Sequence, residues 1–533
     1  MKNIFLYSPP VEKAEFELKS DGANTENKTD MEKVSRKIAE NKRYVEETFS
    51  VPLNGDIVVR DFKIFVGSKS YDAFFVICDG LADGDSVNEC VLKPFMYLKN
   101  SVVPKGEALD KIITGALLPQ NQISVMSKIK PICDEVNFGL CALFVDTLEV
   151  GFSIDLKGWE HRGVDVPQNE KVILGPHEGF NEMLRTNTAL IRKTVKNSNL
   201  VMESISLGKK SQTGASIAYI KGVTNKNLID EVRFRCENIN VDYIFTSHDL
   251  EQYIEDNSFV PAPQIFSTER PDRVCKALVQ GRAAIVVSGS PNVLVVPATF
   301  LDFTKTAEDE YLRYPFAVML RLIRMLAIFL TLFASALFIA ITNYHQDLIL
   351  TNILFSLEYA RHLVPFPSAV EIIMMEISFE LIKEAGVRVP DPIGQTLGIV
   401  GGLILGQAAV EANIVSPIAI IIVSITGLCS FIIPSYSFAF SFRLLRFAYI
   451  IGAAAGGFLG ILTVLFVNLA VLFSLKSFGV NYTSPIAPKN SKNAFASLFV
   501  VPLWKKERRP DYLKPEEKFK QAKISREWKY KKR

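Results

Sequence analysis

VMLRLIRMLAIFLTLFASALFIAITNY, residues 318–344, opens with Arg321 and Arg324 and then runs largely apolar to Ile341. Crossing a hydrocarbon core of about 30 Å takes about 20 apolar helical residues. Three further stretches approach or exceed that length: IGQTLGIVGGLILGQAAV (393–410), IVSPIAIIIVSITGLCSFIIP (414–434) and FAYIIGAAAGGFLGILTVLFVNLAVLF (447–473). A soluble helical core has no need of four such runs so close together. The region 314–476 therefore reads as a polytopic α-helical membrane domain of four to six crossings.

Upstream, residues 46–310 are patterned for a mixed α/β fold. IVVRDFKIFVG (57–67) and YDAFFVICDG (71–80) are rich in Val, Ile, Phe and Tyr, close on glycine and read as strands. SVNECVLKPFMYL (86–98) has helical spacing, and LCALFVDTLEVGFSIDL (140–156) reads as a strand pair. The pattern then recurs. NSNLVMESISLG (197–208) and ASIAYIKG (215–222) are strand-like, NKNLIDEVRFRCENI (225–239) is an amphipathic helix, and GRAAIVVSGSPNVLVVPA (281–298) is a hairpin placed like 140–156. The fold class is α+β, with two related α/β subdomains, 46–165 and 166–313, ahead of the helical part. Residues 1–45 are expected as a mobile arm ending in a helix over TDMEKVSRKIAENKRYVEETF (29–49).

The chain's net charge of +3 is unevenly placed. Residues 505–533 hold 13 Lys/Arg against 5 Asp/Glu, so this end carries +8 and the rest sums to −5. The basic tail, 477–533, interleaves base and aromatic residues; an anionic membrane face satisfies it without nucleic acid. Lys and Arg also orient the spans: Arg321 and Arg324 precede the first and the tail follows the last, so both ends belong in the cytoplasm. Four crossings fit if 365–385 lies along or dips into the membrane, but they leave Arg443 and Arg446 outside. The 7 cysteines show no paired spacing, and no signal peptide is expected at the start, so they read as reduced, mostly buried thiols.

Between the first two spans lies PFPSAVEIIMMEISFELIKEAGVRVPDPIG (365–394). On a helix, Glu376, Glu380, Lys383 and Glu384 share one face, and Met374, Ile377 and Leu381 share the opposite one. Glu371 points elsewhere, and Arg388 stands near the end. An ionisable group at bilayer depth costs several kcal/mol unless it meets water or a counter-charge. Two readings stay open: the acidic face lines a water-filled cation path in an oligomer, or it pairs with Arg361, Arg388, Arg443 or Arg446. Ser424, Thr426 and Asn468 are alternative lining residues. Gly394, Gly398, Gly402 and Gly406 repeat every four residues, as do Gly452, Gly456 and Gly460, making small ridges for helix packing within or between subunits.

Catalytic patterns are absent. CDGLADGD (78–85) is like the nucleophile loop of phosphatase-like folds, but Leu81 stands where a second Asp is wanted, so a polar turn is expected. No nucleotide-binding or hydrolase motif occurs, and the 5 histidines are dispersed, so neither an enzyme nor a metal or other cofactor is expected.

Several blocks in order, among them DGLADGDSVNECVLKPFM, GPHEGFNEMLRTNTALIR, STERPDRV, AEDEYLRYPFAVMLRLIR, PFPSAVEIIMMEISFELIKEAGVRVP and IGQTLGIVGGLILGQAAVEANIVSP, resemble the GerA-type spore germination proteins, more narrowly the A subunit of the nutrient germinant receptor. The likeness runs from about residue 55 to 510. It implies residence in the inner membrane of the endospore, and a complex with a transporter-like B subunit and a lipoprotein C subunit. It further implies assembly as a pentamer around a pore that releases monovalent cations when nutrient binds. A non-conducting scaffold, or a transporter of a small solute such as dipicolinate, is the alternative. Leu174 and His177 depart from arginines common in the family, so inter-subunit salt bridges are not carried over there.

Overall fold

The computed structural model describes residues 16–19, 32–66, 69–97, 109–120, 122–158, 167, 170–388, 406–488 and 501–521. The first α/β half starts with α1 (Ile38–Phe49) and carries strands β1 (Ile57–Val66), β2 (Lys69–Cys78), β3 (Ile123–Met126), β4 (Cys141–Val145) and β5 (Gly151–Ile154). Helix α2 (Ile129–Val136) packs on it. The second half carries α3 (Leu184–Thr194), β6 (Leu200–Leu207), β7 (Thr213–Ile220), α4 (Lys226–Glu237), α5 (Ser247–Ile254), β8 (Phe266–Thr268), α6 (Pro271–Val279), β9 (Ala283–Val287) and β10 (Val293–Val296).

Both sheets are antiparallel and five-stranded, with the same order: β1-β2-β4-β5-β3 and β6-β7-β9-β10-β8. The inner strands β4 and β9 are buried at every position, as their unbroken apolar sequences require. The halves are joined by a buried ion pair. Arg192 of α3 meets Asp56 through Nε at 2.7 Å and Nη2 at 2.8 Å, and Asn54, Asn137 and the Leu200 carbonyl take its remaining donors.

The termini correct two expectations. Phe16 and Leu18 of the N-terminal arm pack on the second sheet, with Leu18 buried, so this piece of the arm is anchored. The helix expected over 29–49 begins only at Ile38. The C-terminal segment docks on the same half: Leu513 is buried, the Tyr512 hydroxyl accepts from Arg282, and Arg509 donates to the Val279 carbonyl. Asn225, the N-cap of α4, donates to the carbonyls of both Lys19 and Lys514, so it ties the two ends together.

The helical part comprises α7 (Tyr314–Tyr344), α8 (Thr351–Arg361), α9 (Ser368–Arg388), α10 (Pro417–Ile432) and α11 (Tyr436–Ser474). Among the described residues α7 and α11 are long and apolar enough to cross a membrane, and α10 is a shorter apolar helix. The expected span over 393–410, with Gly394, Gly398 and Gly402, lies outside the described residues up to Gly406. An aromatic cluster of Phe300, Phe303, Phe438, Phe442 and Tyr482 continues the core of the second sheet into the bundle.

The expected continuous span over 447–473 is corrected. A straight helix of 39 residues would run about 58 Å at about 1.5 Å per residue. Instead, Asn468 donates to the Tyr449 hydroxyl at 3.2 Å although the two are 19 residues apart. The chain reverses at Gly456 and Gly457, whose dihedrals leave the helix; Gly457 has φ +57°, open to glycine at little cost. Two antiparallel arms result, 436–455 and 458–474. They approach so closely that a Cβ on Gly460 would lie 1.8 Å from the Gly452 carbonyl oxygen. The spacing read as a ridge for a neighbouring helix thus builds, at Gly452 and Gly460, the inside of one hairpin.

Candidate functional site: a charged seam between helices

Cross-links fix how the helices run. On α7 and α9, Ser335 meets Glu376 and Asn343 meets Ser368, so the two are antiparallel. Between α9 and α10, Glu371 meets Ser416, Glu376 meets Thr426 and Lys383 meets Ser430, so these are parallel. The first arm of α11 runs against α9, pairing Arg443 with Glu380 and Arg446 with Glu376. The ends of the α11 hairpin lie at the sheets, where Ser441 donates to the Pro261 carbonyl and Ser477 to that of Gln264. Its tip lies at the far end of α7, where the Tyr344 hydroxyl donates to the Ala454 carbonyl.

Within this frame Glu371, Glu376, Glu380 and Lys383 of α9 face inward. Glu376 is fully buried; its Oε1 accepts from Ser335 at 2.8 Å and Thr426 at 3.1 Å, and its Oε2 stands 2.8 Å from Arg446 Nη2. Arg446 is 1% exposed, and its Nε and Nη1 meet no hydrogen-bond partner among the described residues. Glu380 pairs with Arg443, whose guanidinium also lies over Phe440 at 5.0 Å. Lys383 donates to Ser430 and sits 4.0 Å above the Phe431 ring. Glu371 accepts from the Ser416 backbone N–H at the start of α10, where a helix N-terminus favours an anion, and lies 3.8 Å from Arg361 Nε. Ile377 and Leu381 face outward at 47% and 66% exposed, the reverse of a helix on a soluble protein.

Other residues singled out by the sequence fall elsewhere. Glu384 lies on the outside, and Arg388 ends α9. Arg324 leaves the bundle to hold Asp309 and the Thr304 carbonyl, whereas the buried Arg321 has Nε and Nη2 without partners among the described residues. Thr426 belongs to the seam, Ser424 faces outward and Asn468 serves the α11 hairpin. A Cβ on Gly406 would meet Ile420 of α10 at ordinary contact distance, and one on Gly456 would enter open space. In CDGLADGD, Asp83 caps a short helix by accepting from the backbones of Asp85 and Ser86.

A repeated antiparallel α/β module, joined to an apolar helical bundle with its charges turned inward, defines the class. The family model of the Bacillus/Clostridium GerA spore germination protein matches residues 43–512. The chain belongs to that family. Among curated relatives, spore germination protein KA of Bacillus subtilis is 36% identical over 92% of this chain and 89% of its own. Spore germination protein A1 of Bacillus subtilis is 35% identical over 87% and 95%. GerLA of Bacillus cereus is 35% identical over 86% and 92%. The crystal structure of the N-terminal domain of the A subunit of the Bacillus megaterium spore germinant receptor GerK3 matches 50% of this chain and 97% of that one, at 27% identity and a TM-score of 0.37.

Proposed function

We propose that this protein is the membrane subunit of a spore nutrient germinant receptor, and that copies of it assemble around a cation path whose closed state the charged seam holds. The inversion of α9 carries this reading. Carboxylates and arginines are drawn inward while Ile377 and Leu381 are offered outward, which suits lipid and does not suit water. In this reading α7 leads away from the sheets, α9 and α10 both return, and the two arms of α11 lead away and return; with the span expected from sequence over 393–410, which lies outside the described residues up to Gly406, the count is six. An even count keeps both termini and the basic residues on one side, the spore core, with the bundle in the inner membrane. It also brings Arg443 and Arg446 to the positive side. Residues 46–165 and 166–313 form a collar beneath the membrane domain 314–476. The nutrient-binding, transporter-like subunit, the lipoprotein subunit and a pentamer of this chain are the partners the family resemblance supplies.

A non-conducting scaffold is the second reading. It is favoured by one observation: Glu371, Glu376 and Glu380 each face an arginine of the same chain. The two readings separate in a flux experiment. Purified protein in liposomes is assayed for potassium efflux, alongside nutrient-triggered potassium release from spores carrying Glu376→Gln, Arg446→Gln or both. A channel conducts, and the single changes alter its release rate at unchanged protein level. A receptor that leaves liposomes tight, and whose seam variants release potassium at the parental rate, sinks the channel reading in favour of the scaffold.

A further inference from the structure

The connector between the second sheet and α7 borders a cavity of about 80 Å³, several times the about 10–15 Å³ that one water needs. Arg273, Lys276, Arg282, Asp302, Lys305 and Glu310 are among its walls. Arg273 is matched by Glu170. Asp272, also in the wall, is matched by Arg270, and the two carboxylates that then remain each serve two cations. Asp302 faces Arg282 Nη2 at 2.7 Å and Lys305 Nζ at 3.0 Å. Glu310 faces Lys276, and also Lys506 of the C-terminal segment at 3.7 Å. Four cations against two carboxylates leave two positive charges unmatched, and Lys520 adds its field at Glu310. Arg282, 3% exposed, has an Nε with no hydrogen-bond partner among the described residues.

We propose that this cavity binds a phosphate-class anion, held by Lys276, Arg282 and Lys305 of its wall, with Lys506 adding its charge from beside Glu310. A dianion with several oxygens cancels the two surplus charges and gives the ammonium and guanidinium groups acceptors. Burial and the crowd of lysines, opposed by Glu310, push the Lys506 ammonium down to about 8, a strain that a bound anion relieves. The cavity sits where the collar, the tail and the root of α7 meet, so an anion there would stiffen that joint. Free phosphate and a phospholipid headgroup share this chemistry. The headgroup source rests on the membrane reading above, and the free anion does not.

The full chain, purified in detergent, is unfolded thermally in millimolar inorganic phosphate and in chloride at matched ionic strength. It is then unfolded in nanodiscs of phosphatidylglycerol or of phosphatidylcholine. A Tm raised a few degrees by phosphate in detergent identifies a free anion. A rise confined to phosphatidylglycerol discs identifies a headgroup. In either case Lys276→Gln/Lys506→Gln, or Lys506→Gln alone should the pair fail to fold, loses the rise measured against its own Tm in chloride, while Lys63→Gln keeps it. The response also fades as pH is raised through about 8, where Lys506 gives up its proton. No rise from either source, or an equal rise in the double variant, overturns the proposal.

Discussion

Asp56 and Arg192, between the two sheets, and Glu376 and Arg446, inside the bundle, are both buried ion pairs, but they differ in how far the arginine is satisfied. Every nitrogen of the Arg192 guanidinium has an acceptor, drawn from both halves of the module. Arg446 is held beside Glu376 as an ion pair, and among the described residues none of its guanidinium nitrogens has a hydrogen-bond acceptor. The first pair is a finished joint. The second leaves donors idle among the described residues, as the proposed gating role would need. A half-satisfied buried charge is costly where it stands, and the spacing between alternative arrangements narrows accordingly.

The sheet joint should therefore show the larger loss when one partner is removed. Asp56→Ala strands a buried arginine, and about 3–5 kcal/mol of stability should go with it. Denaturant unfolding of the full chain checks this. A loss under about 1 kcal/mol would mean that Arg192 finds other acceptors and that the joint is no better made than the seam. Next comes the hairpin. Gly460→Ala forces the arms of α11 apart against the Gly452 carbonyl and should cost about 1–3 kcal/mol, whereas Gly456→Ala meets open space and should be nearly neutral. Equal effects of the two on Tm would remove the close approach from the account. Third, a double-mutant cycle on Glu376 and Arg446 should give a coupling of about 1–2 kcal/mol, below that of Asp56 with Arg192. A coupling as large as the sheet pair's would make the seam a fixed joint and weaken the proposal that it holds a closed state.

Part of this was legible beforehand. The strands stood out because Val, Ile, Phe and Tyr crowd into short runs closed by glycine, and the recurrence of that grammar matches two sheets of one strand order. The charged face of α9 was legible from its three- and four-residue steps, and Arg443 and Arg446 were among the candidate partners. Which glutamate takes which arginine depends on the relative direction of α9 and the first arm of α11. The reversal at Gly456 and Gly457 beyond that arm was hidden as well. Hydropathy does not register such a turn, because apolar residues flank it on both sides; the adjacent glycines were the available signal. The cavity at Lys276 was invisible for a different reason. Its wall charges are spread from Asp272 to Glu310 and are gathered by the fold of the second sheet and its connector, and the docked C-terminal segment adds Lys506 beside Glu310. The anchoring of Phe16 and Leu18 likewise needs the second sheet to be present.

The smallest effect tests whether the collar, like the seam, hides a poorly satisfied charge. Glu251 on α5 is pushed up to about 7, first by burial and then by the neighbouring Glu255 carboxylate. Its ordinary value is 4.5, so the folded chain holds this proton more tightly than the unfolded chain. The stabilisation it brings is complete below that ordinary value and is lost as pH rises towards about 7. At pH 8 the carboxylate is charged and partly desolvated, and Glu251→Gln should raise Tm there by a few degrees. At pH 4 both side chains are neutral, and the two proteins should melt together. A Gln variant with the same advantage at both pH values would place the gain in packing, and the collar would then have only well-made charge contacts to set against the seam.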